Sequence, residues 1–270
     1  MTDAGFLKIA ALAADAPVTG APMADLRDGG LDAIRVDHVL SPQECAQVVS
    51  ALATNGAGFE TTEFPGPFRS FFYGRNLNLN EPELGGYFDA ARAFDAALAR
   101  LAQLAGVDPV ARVAACLAAM DGGRPYLPAP GPQGRRHFFT TFRGHHPGGY
   151  IPAHFDNEQT LRPSYRHVAE VTRGDTLSFV LTLAEAEAGG MLEMFDLTAA
   201  DGVVNDDRSA RPDLASLRSQ CLPVPAGSML VVRSGARLHR VTPVEGARMR
   251  WTMCSFMAAA RDSAATYCWG

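Results

Sequence analysis

The stretch YIPAHFDNEQ, Tyr150–Gln159, carries a His and an Asp two positions apart, His154 and Asp156. On a helix, residues i and i+2 are turned by roughly 200° and face opposite sides. On a strand they project from one face, a few ångströms apart. The pair can hold one ion only if the segment is extended, so its neighbours decide both fold and chemistry. Ahead of it lies a turn, His145-His146-Pro147-Gly148-Gly149, and ahead of that an extended run, HFFTTFR at His137–Arg143. YIPAHFD therefore reads as a strand returning from the turn. His154 and Asp156 become same-face neighbours, with Phe155 turned away.

The same texture continues downstream. LSFVLTL (Leu177–Leu183) is followed by a Gly189-Gly190 turn and MLEMFDL, then SMLVVR (Ser228–Arg233), RLHRVTPV around His239, and RWTMCSFMA. Many short strands with few helices predict an antiparallel sandwich or barrel. Upstream the pattern differs. Ala33 to Leu40 alternates like a short strand and runs into Ser41-Pro42-Gln43-Glu44, a helix start with Ser as N-cap and Glu completing a capping box. Gly56 would stop that helix. From Glu81 to Gly106 apolar residues recur at helical spacing (Tyr87, Ala91, Phe94, Leu98, Leu101, Leu104), and a second such run covers Val110 to Met120. The Pro-rich segment Leu127–Pro132 separates the two textures. The expected fold is mostly β with flanking α-helices. Residues 1–130 would form a strand and helical scaffold, packed on a strand core over 131–270 as one integrated domain.

Composition narrows the function classes. A chain of 270 residues, 47% hydrophobic and 20% charged, suits a globular protein with a sizeable core. A net charge of −5 gives no electrostatic reason to expect nucleic acid or an acidic membrane surface. No apolar run approaches the ~18 residues of a membrane span. The five cysteines are scattered and form no CxxC pair, which argues against structural zinc or a disulfide framework and for a reducing compartment. The N-terminus lacks the basic region of a signal peptide. A cytoplasmic enzyme is expected.

Two ligands on one strand need a third from elsewhere. His239 falls late in the strand-rich half, where a strand can pass beside the first. Two imidazoles and one carboxylate on one side of an ion make the facial triad of non-haem Fe(II) oxygenases, which leaves positions open for a bidentate 2-oxo acid and O2. The main rival third ligand is His167, in SYRHVAEV, which reads as a lid or connecting loop. After His239 comes GARMRWTMCSF, with Arg248 and Arg250 on one face of a predicted strand. A 2-oxo dicarboxylate needs a charge-assisted anchor for its far carboxylate, which Arg supplies bidentately.

HFD, an 83-position gap to His239, and HRVTPVEGARMR together resemble the Fe(II)/2-oxoglutarate-dependent oxygenase superfamily. AEAGGMLEMF and VPAGSMLVV are similar to it as well. More narrowly, the chain resembles the branch of N-substituted amino acid hydroxylases and hapalindole/welwitindolinone-type aliphatic halogenases. The shared features are Tyr73-Gly74, Gly131-Pro132-Gln133-Gly134, an Arg eleven before the first ligand (Arg143), Asn157 after the motif, and the tail TYCWG. The resemblance implies a double-stranded β-helix (a cupin-like jelly roll) and His154, Asp156 and His239 as iron ligands. It implies Fe(II), 2-oxoglutarate and O2 as cofactor and co-substrates, with Arg143 and either Arg248 or Arg250 binding 2-oxoglutarate. The halogenases of this branch have Gly where this chain has Asp156, which frees a site for chloride, so the chain looks like a hydroxylase.

The implied substrate is a small molecule, an N-substituted or modified amino acid. Tyr73 is a candidate apolar wall, and Arg162 and Arg166 are candidates to grip an anionic substrate. His145-His146 reads as a solvated turn, and Ser178 as a packing residue, with support of the metal site as its alternative reading. Two rivals remain open: a hydroxylase of protein side chains, and a cupin-like metal-binding protein without oxidative turnover.

Overall fold

The computed structural model describes residues 5–79, 84–157, 162–201 and 213–270. Along the chain the strands are β1 (Ile9–Ala13), β2 (Ala33–Asp37), β3 (Thr61–Glu63), β4 (Ser70–Tyr73), β5 (Tyr126–Pro128), β6 (Thr141–His145), β7 (Ile151–His154) and β8 (Thr172–Ala184). They continue as β9 (Ala188–Gly189), β10 (Leu192–Thr198), β11 (Ser219–Leu222), β12 (Met229–Val232), β13 (Arg237–Val241), β14 (Val244–Glu245), β15 (Arg250–Ala260) and β16 (Thr266–Trp269). The helices are α1 (Pro22–Arg27), α2 (Pro42–Ala53), α3 (Gly85–Ala105), α4 (Pro109–Met120) and α5 (Arg166–Val171).

Ten strands form one sheet, in the order β1-β2-β12-β8-β15-β6-β4-β3, with β16 and β5 attached to β15. Four more form a second sheet in the order β11-β10-β13-β7. The architecture is a strand-rich mixed α/β fold, and pairing among the described residues does not close into a barrel. Five of the ten strands, β1 to β5, come from before residue 130, so one sheet draws on both textures of the sequence.

Alternation explains the layering. On β8, Leu177, Phe179, Leu181 and Leu183 join the main core with helix residues such as Val48, Phe94 and Leu101. The intervening Val180 and Thr182 face a cavity on the side of the smaller sheet. On β15, Trp251, Met253 and Met257 join the core, while Arg250, Thr252 and Cys254 line the cavity. Each fully buried Leu or Phe stabilises the fold by about 1.5–3 kcal/mol relative to exposure. The large sheet thus has one apolar face under the helices and one functional face.

Local signals account for the scaffold. The Ser41 hydroxyl accepts the Glu44 N–H at 3.2 Å, and the Glu44 carboxylate accepts the Ser41 N–H at 2.7 Å, the capping box expected from the sequence. Helix α3 runs from Gly85, and the start expected at Glu81 lies outside the described residues. Among the described residues no single helix is long and apolar enough to cross a membrane.

Candidate metal centre and its cavity

Strand β7 is the edge of the four-stranded sheet, entered from the turn after His145. Glycine is required there: a Cβ on Gly149 would stand 2.8 Å from the carbonyl oxygens of both Arg69 and His146. Strand β13 pairs antiparallel to β7, and its register sets His239 directly opposite His154. The strand ends at His154, two residues earlier than the sequence implies. Asp156 reaches the same point by another route, because its backbone N–H donates to the Ser234 carbonyl at 2.9 Å. Phe155 is buried on the far side with Phe195 and Leu238.

The three side chains converge. His154 Nε2 is 3.3 Å from Asp156 Oδ1, and His239 Nε2 is 3.5 Å from Asp156 Oδ2. The two imidazole centroids are 4.4 Å apart, and all three ligand atoms lie within 4.8 Å of one another. Bonds of about 2.1 Å at right angles put neighbouring donors about 3 Å apart, so the spacing suits one first-row metal ion. Both rings are fixed in the same tautomer. His154 Nδ1–H donates to Pro152 O at 2.7 Å, and His239 Nδ1–H donates to Arg237 O at 3.0 Å, which leaves each Nε2 lone pair for the metal. Burial alone would raise the Asp156 pKa, but the imidazoles of His154 and His239 beside it hold it well below the usual carboxylate range. An ionised oxygen ligand beside two imidazoles fits Fe(II).

A cavity of about 360 Å³ lies between the two sheets, bordered by the strands that carry the two histidines. Its walls include Ile151 and Val241 from the strands that carry the histidines, and Arg143, His145, Thr182, Arg250 and Thr252 from the large sheet. Arg250 is 7% exposed, and among the described residues neither Arg250 nor Arg143 has an acidic partner. Burial, with Arg143 adding to it, lowers the Arg250 pKa to about 10. Arg143 and Arg250 face a cavity that Glu185 and Glu187 also line, but among the described residues neither arginine is ion-paired with them, an arrangement suited to an anionic ligand. Gly190 makes room for this: at φ 62°, a Cβ there would meet Arg250 Cδ at 2.8 Å.

Other expected site residues lie elsewhere. Arg248 is exposed in the bend before β15, because Gly246 (φ 89°) turns the chain and the strand begins only at Arg250. The two arginines therefore do not share a strand face. Tyr73 is a core residue, not a cavity wall: its hydroxyl donates to Leu52 O at 2.8 Å, and its ring packs on Phe59 and Trp251. Its partner across the strands, Phe142, is on the helix side of the sheet, which explains the misreading. Arg166 is exposed and pairs with Glu170 at 3.2 Å along α5, and Arg162 is exposed just ahead of it. His167 sits 3.6 Å from the same Glu170, apart from the three-residue cluster. Ser178 stands across from Phe256 on β15.

His145 departs most from expectation. It is the last residue of β6, only 1% exposed, and it lines the cavity. His146 alone is exposed. The alternation in TFRGH was the available signal, since Arg143 and His145 share a face. The Pro-Gly-Gly that follows masked it.

A backbone-fixed His-Asp-His cluster, with two unpaired arginines lining the cavity between the sheets, defines the class, the Fe(II)/2-oxoglutarate-dependent oxygenases. A family model described as carrier-protein-independent halogenase WelO5 matches residues 11–270, and the chain belongs to that family. Among solved structures, the N-substituted L-amino acid dioxygenase from Burkholderia ambifaria AMMD is similar over 93% of this chain and 91% of that one, at 17% identity and a TM-score of 0.59. The same enzyme solved with alpha-KG gives the same TM-score, 0.59, over 93% of this chain and 90% of that one. The non-heme alpha ketoglutarate dependent epimerase SnoN from nogalamycin biosynthesis matches at 16% identity and a TM-score of 0.51, over 88% of this chain and 85% of that one. At these identities the likeness is one of fold. No curated protein sequence matches the chain.

Proposed function

We propose that the chain is a hydroxylase of an aliphatic C–H bond in a small molecule bearing a carboxylate, an N-substituted or otherwise modified amino acid. The observation that carries this reading is Asp156, whose carboxylate oxygens stand 3.3 and 3.5 Å from the two imidazoles. A carboxylate there takes the coordination position that a halide needs. The two sheets are read as the two faces of a double-stranded β-helix, which the fold likeness to the dioxygenase supports. That likeness is also the warrant for the amino acid substrate, and it is an analogy of fold.

Iron with 2-oxoglutarate and O2 supplies oxidative C–H cleavage, releasing succinate and CO2. The chain's residues do the rest. His154, Asp156 and His239 would hold the metal on one side and leave its other side to the cavity. Arg250 would take the far carboxylate of the co-substrate through a charge-assisted fork, with the Thr252 hydroxyl beside it. Arg143 adds positive charge nearby, its guanidinium carbon 5.9 Å from the Phe256 ring centroid. Ile151, Val180, Leu192 and Val241 give that cavity apolar walls that exclude water.

The family match favours a second reading, halogenation. Aerobic incubation with Fe(II), 2-oxoglutarate, chloride and a panel of N-acyl amino acids and their esters distinguishes the two. Succinate release with a mass gain of one oxygen, for acids and not esters, is expected. Replacement of hydrogen by chlorine would overturn the hydroxylase reading, and equal turnover of esters would overturn carboxylate recognition. A peptide panel in the same assay tests the protein-substrate rival.

A further inference from the structure

Register aligns three polar residues in a row across the large sheet. Ser70 on β4 is the partner of His145 on β6, and His145 is the partner of Arg250 on β15. All three are buried, at 2%, 1% and 7% exposure. His145 and Arg250 both line the cavity. Ser70 Oγ, His145 Nδ1 and the nearby Arg143 Nε are buried without a hydrogen-bond partner among the described residues. Buried polar atoms in native proteins are almost always paired, and each orphan costs about 1–3 kcal/mol. Two of these orphans belong to residues that line the cavity, and Ser70 lies in register beside His145; together they mark a site completed by a ligand.

The chemistry of that ligand follows from the lining. Burial, reinforced by Arg250 and Arg143, pushes the His145 imidazole well below its usual range, so it stays neutral beside the two cations. A neutral imidazole offers one N–H donor without adding a third charge. Cross-strand neighbours on one face stand about 5 Å apart, close enough to engage the two oxygens of a single carboxylate. His145, the last residue of β6, stands beside Arg250 at the same part of the cavity, so its ring takes up space that a longer ligand would need.

We infer that His145 is a recognition residue for the co-substrate: its imidazole donates to the far carboxylate beside Arg250, and its ring limits the length of the 2-oxo acid accepted. This rests on the 2-oxoglutarate reading above. Nothing in it depends on the substrate that is oxidised.

Binding without turnover provides the test. The protein is loaded with Zn(II), and oxalylglycine, an inert five-atom-chain analogue of 2-oxoglutarate, is titrated calorimetrically, followed by 2-oxoadipate. His145→Ala is expected to weaken oxalylglycine roughly tenfold or more, as for loss of a hydrogen bond to a charged group. His145→Gln, which keeps an N–H donor, should restore most of that loss. The longer 2-oxoadipate should gain on oxalylglycine in the Ala variant, because the removed ring leaves space. Zn(II) affinity should be unchanged in both variants. If folded His145→Ala binds oxalylglycine as tightly as wild type with the same chain-length preference, the role assigned to His145 is wrong. Where the Ala variant does not fold, His145→Phe decides: it fills the space without a donor, so retained affinity overturns the inference and weakened affinity supports it. Failure of the wild-type protein to bind oxalylglycine at all would instead overturn the 2-oxoglutarate reading.

Discussion

The metal cluster and the arginine-lined part of the neighbouring cavity, the metal end and the deep end of the site, are built on opposite principles. At the metal end each ring nitrogen turned away from the cluster is engaged: His154 Nδ1 with Pro152 O, His239 Nδ1 with Arg237 O. Asp156 is pinned through its own N–H to Ser234 O. At the deep end, among the described residues, Ser70 Oγ, His145 Nδ1 and Arg143 Nε have no hydrogen-bond partner and no acid pairs with Arg250. The first end is preorganised by the backbone and waits only for an ion. The second holds unmet polar groups that a carboxylate would satisfy. Preorganisation cuts the cost of binding, whereas unmet polarity raises selectivity, because a ligand without the matching group leaves the orphans buried.

If this contrast is right, the largest losses come from the metal end. His154→Ala or His239→Ala should abolish Fe(II) binding and succinate formation, measured by anaerobic metal titration and by turnover. His167→Ala should leave both intact, since that ring sits by Glu170 on α5. A metal-free His167→Ala protein would show that the wrong third ligand has been chosen. Asp156→Gly should lose hydroxylation almost completely while the two imidazoles stay in register. Chloride or azide binding, followed by electronic absorption of the Fe(II) or Co(II) protein, tests whether the vacated position is then open. Undiminished hydroxylation in Asp156→Gly would remove the carboxylate from the metal.

The next effect belongs to the deep end. Arg250→Ala removes the buried cation facing the carboxylate, at a cost of about 2–5 kcal/mol for a desolvated pair, so KM for 2-oxoglutarate should rise roughly thirtyfold or more. Arg248→Ala should be silent, because its side chain is exposed in the bend ahead of β15. A strong KM effect from Arg248 and none from Arg250 would place the anchor outside the cavity. Gly190→Ala should resemble Arg250→Ala in milder form, since the new methyl would crowd Arg250 Cδ and strain a backbone at φ 62°.

The same two ends differ in how far the sequence reveals them. Metal ligands are chemically distinctive, and HFD on an extended segment with a distal His was enough to nominate all three. What brings Asp156 into place, a single bond to Ser234 from beyond the strand end, was not legible, because it is a long-range backbone contact. The capping box at Ser41, helix α4 and strands β8, β12, β13 and β15 were readable from local pattern. The hairpin of β3 and β4 and the N-terminal strand β1 were not, since TTE and IAALA carry no local pattern of their own. His145 and Arg248 went wrong for one shared reason. Each lies within a residue or two of a strand end, where glycine geometry fixes whether a side chain turns in or out. A single position of strand boundary exchanges a solvated turn for a buried site residue.

The smallest effect is the sharpest test of the contrast. Ser70 is 2% exposed and its hydroxyl has no partner, yet it lies in register with His145 and Arg250. In the ligand-free protein, Ser70→Ala removes an unmet polar group and leaves the fold's contacts in place. Its stability should therefore be unchanged or raised by up to about 1 kcal/mol, a small upward shift in Tm, because an orphaned hydroxyl is a net cost. A serine that does structural work through its hydroxyl behaves the other way. Ser255, for example, donates to Phe139 O at 2.6 Å, and Ser255→Ala should lower Tm. With 2-oxoglutarate or oxalylglycine present the sign for Ser70 should reverse: the ligand should raise Tm less in Ser70→Ala than in wild type, if the hydroxyl belongs to the site the carboxylate completes. Paired melting curves with and without ligand measure both terms at once. A Ser70→Ala protein destabilised when free and equally stabilised by ligand would mean that the deep end is as self-satisfied as the metal end, and the distinction between them would fall.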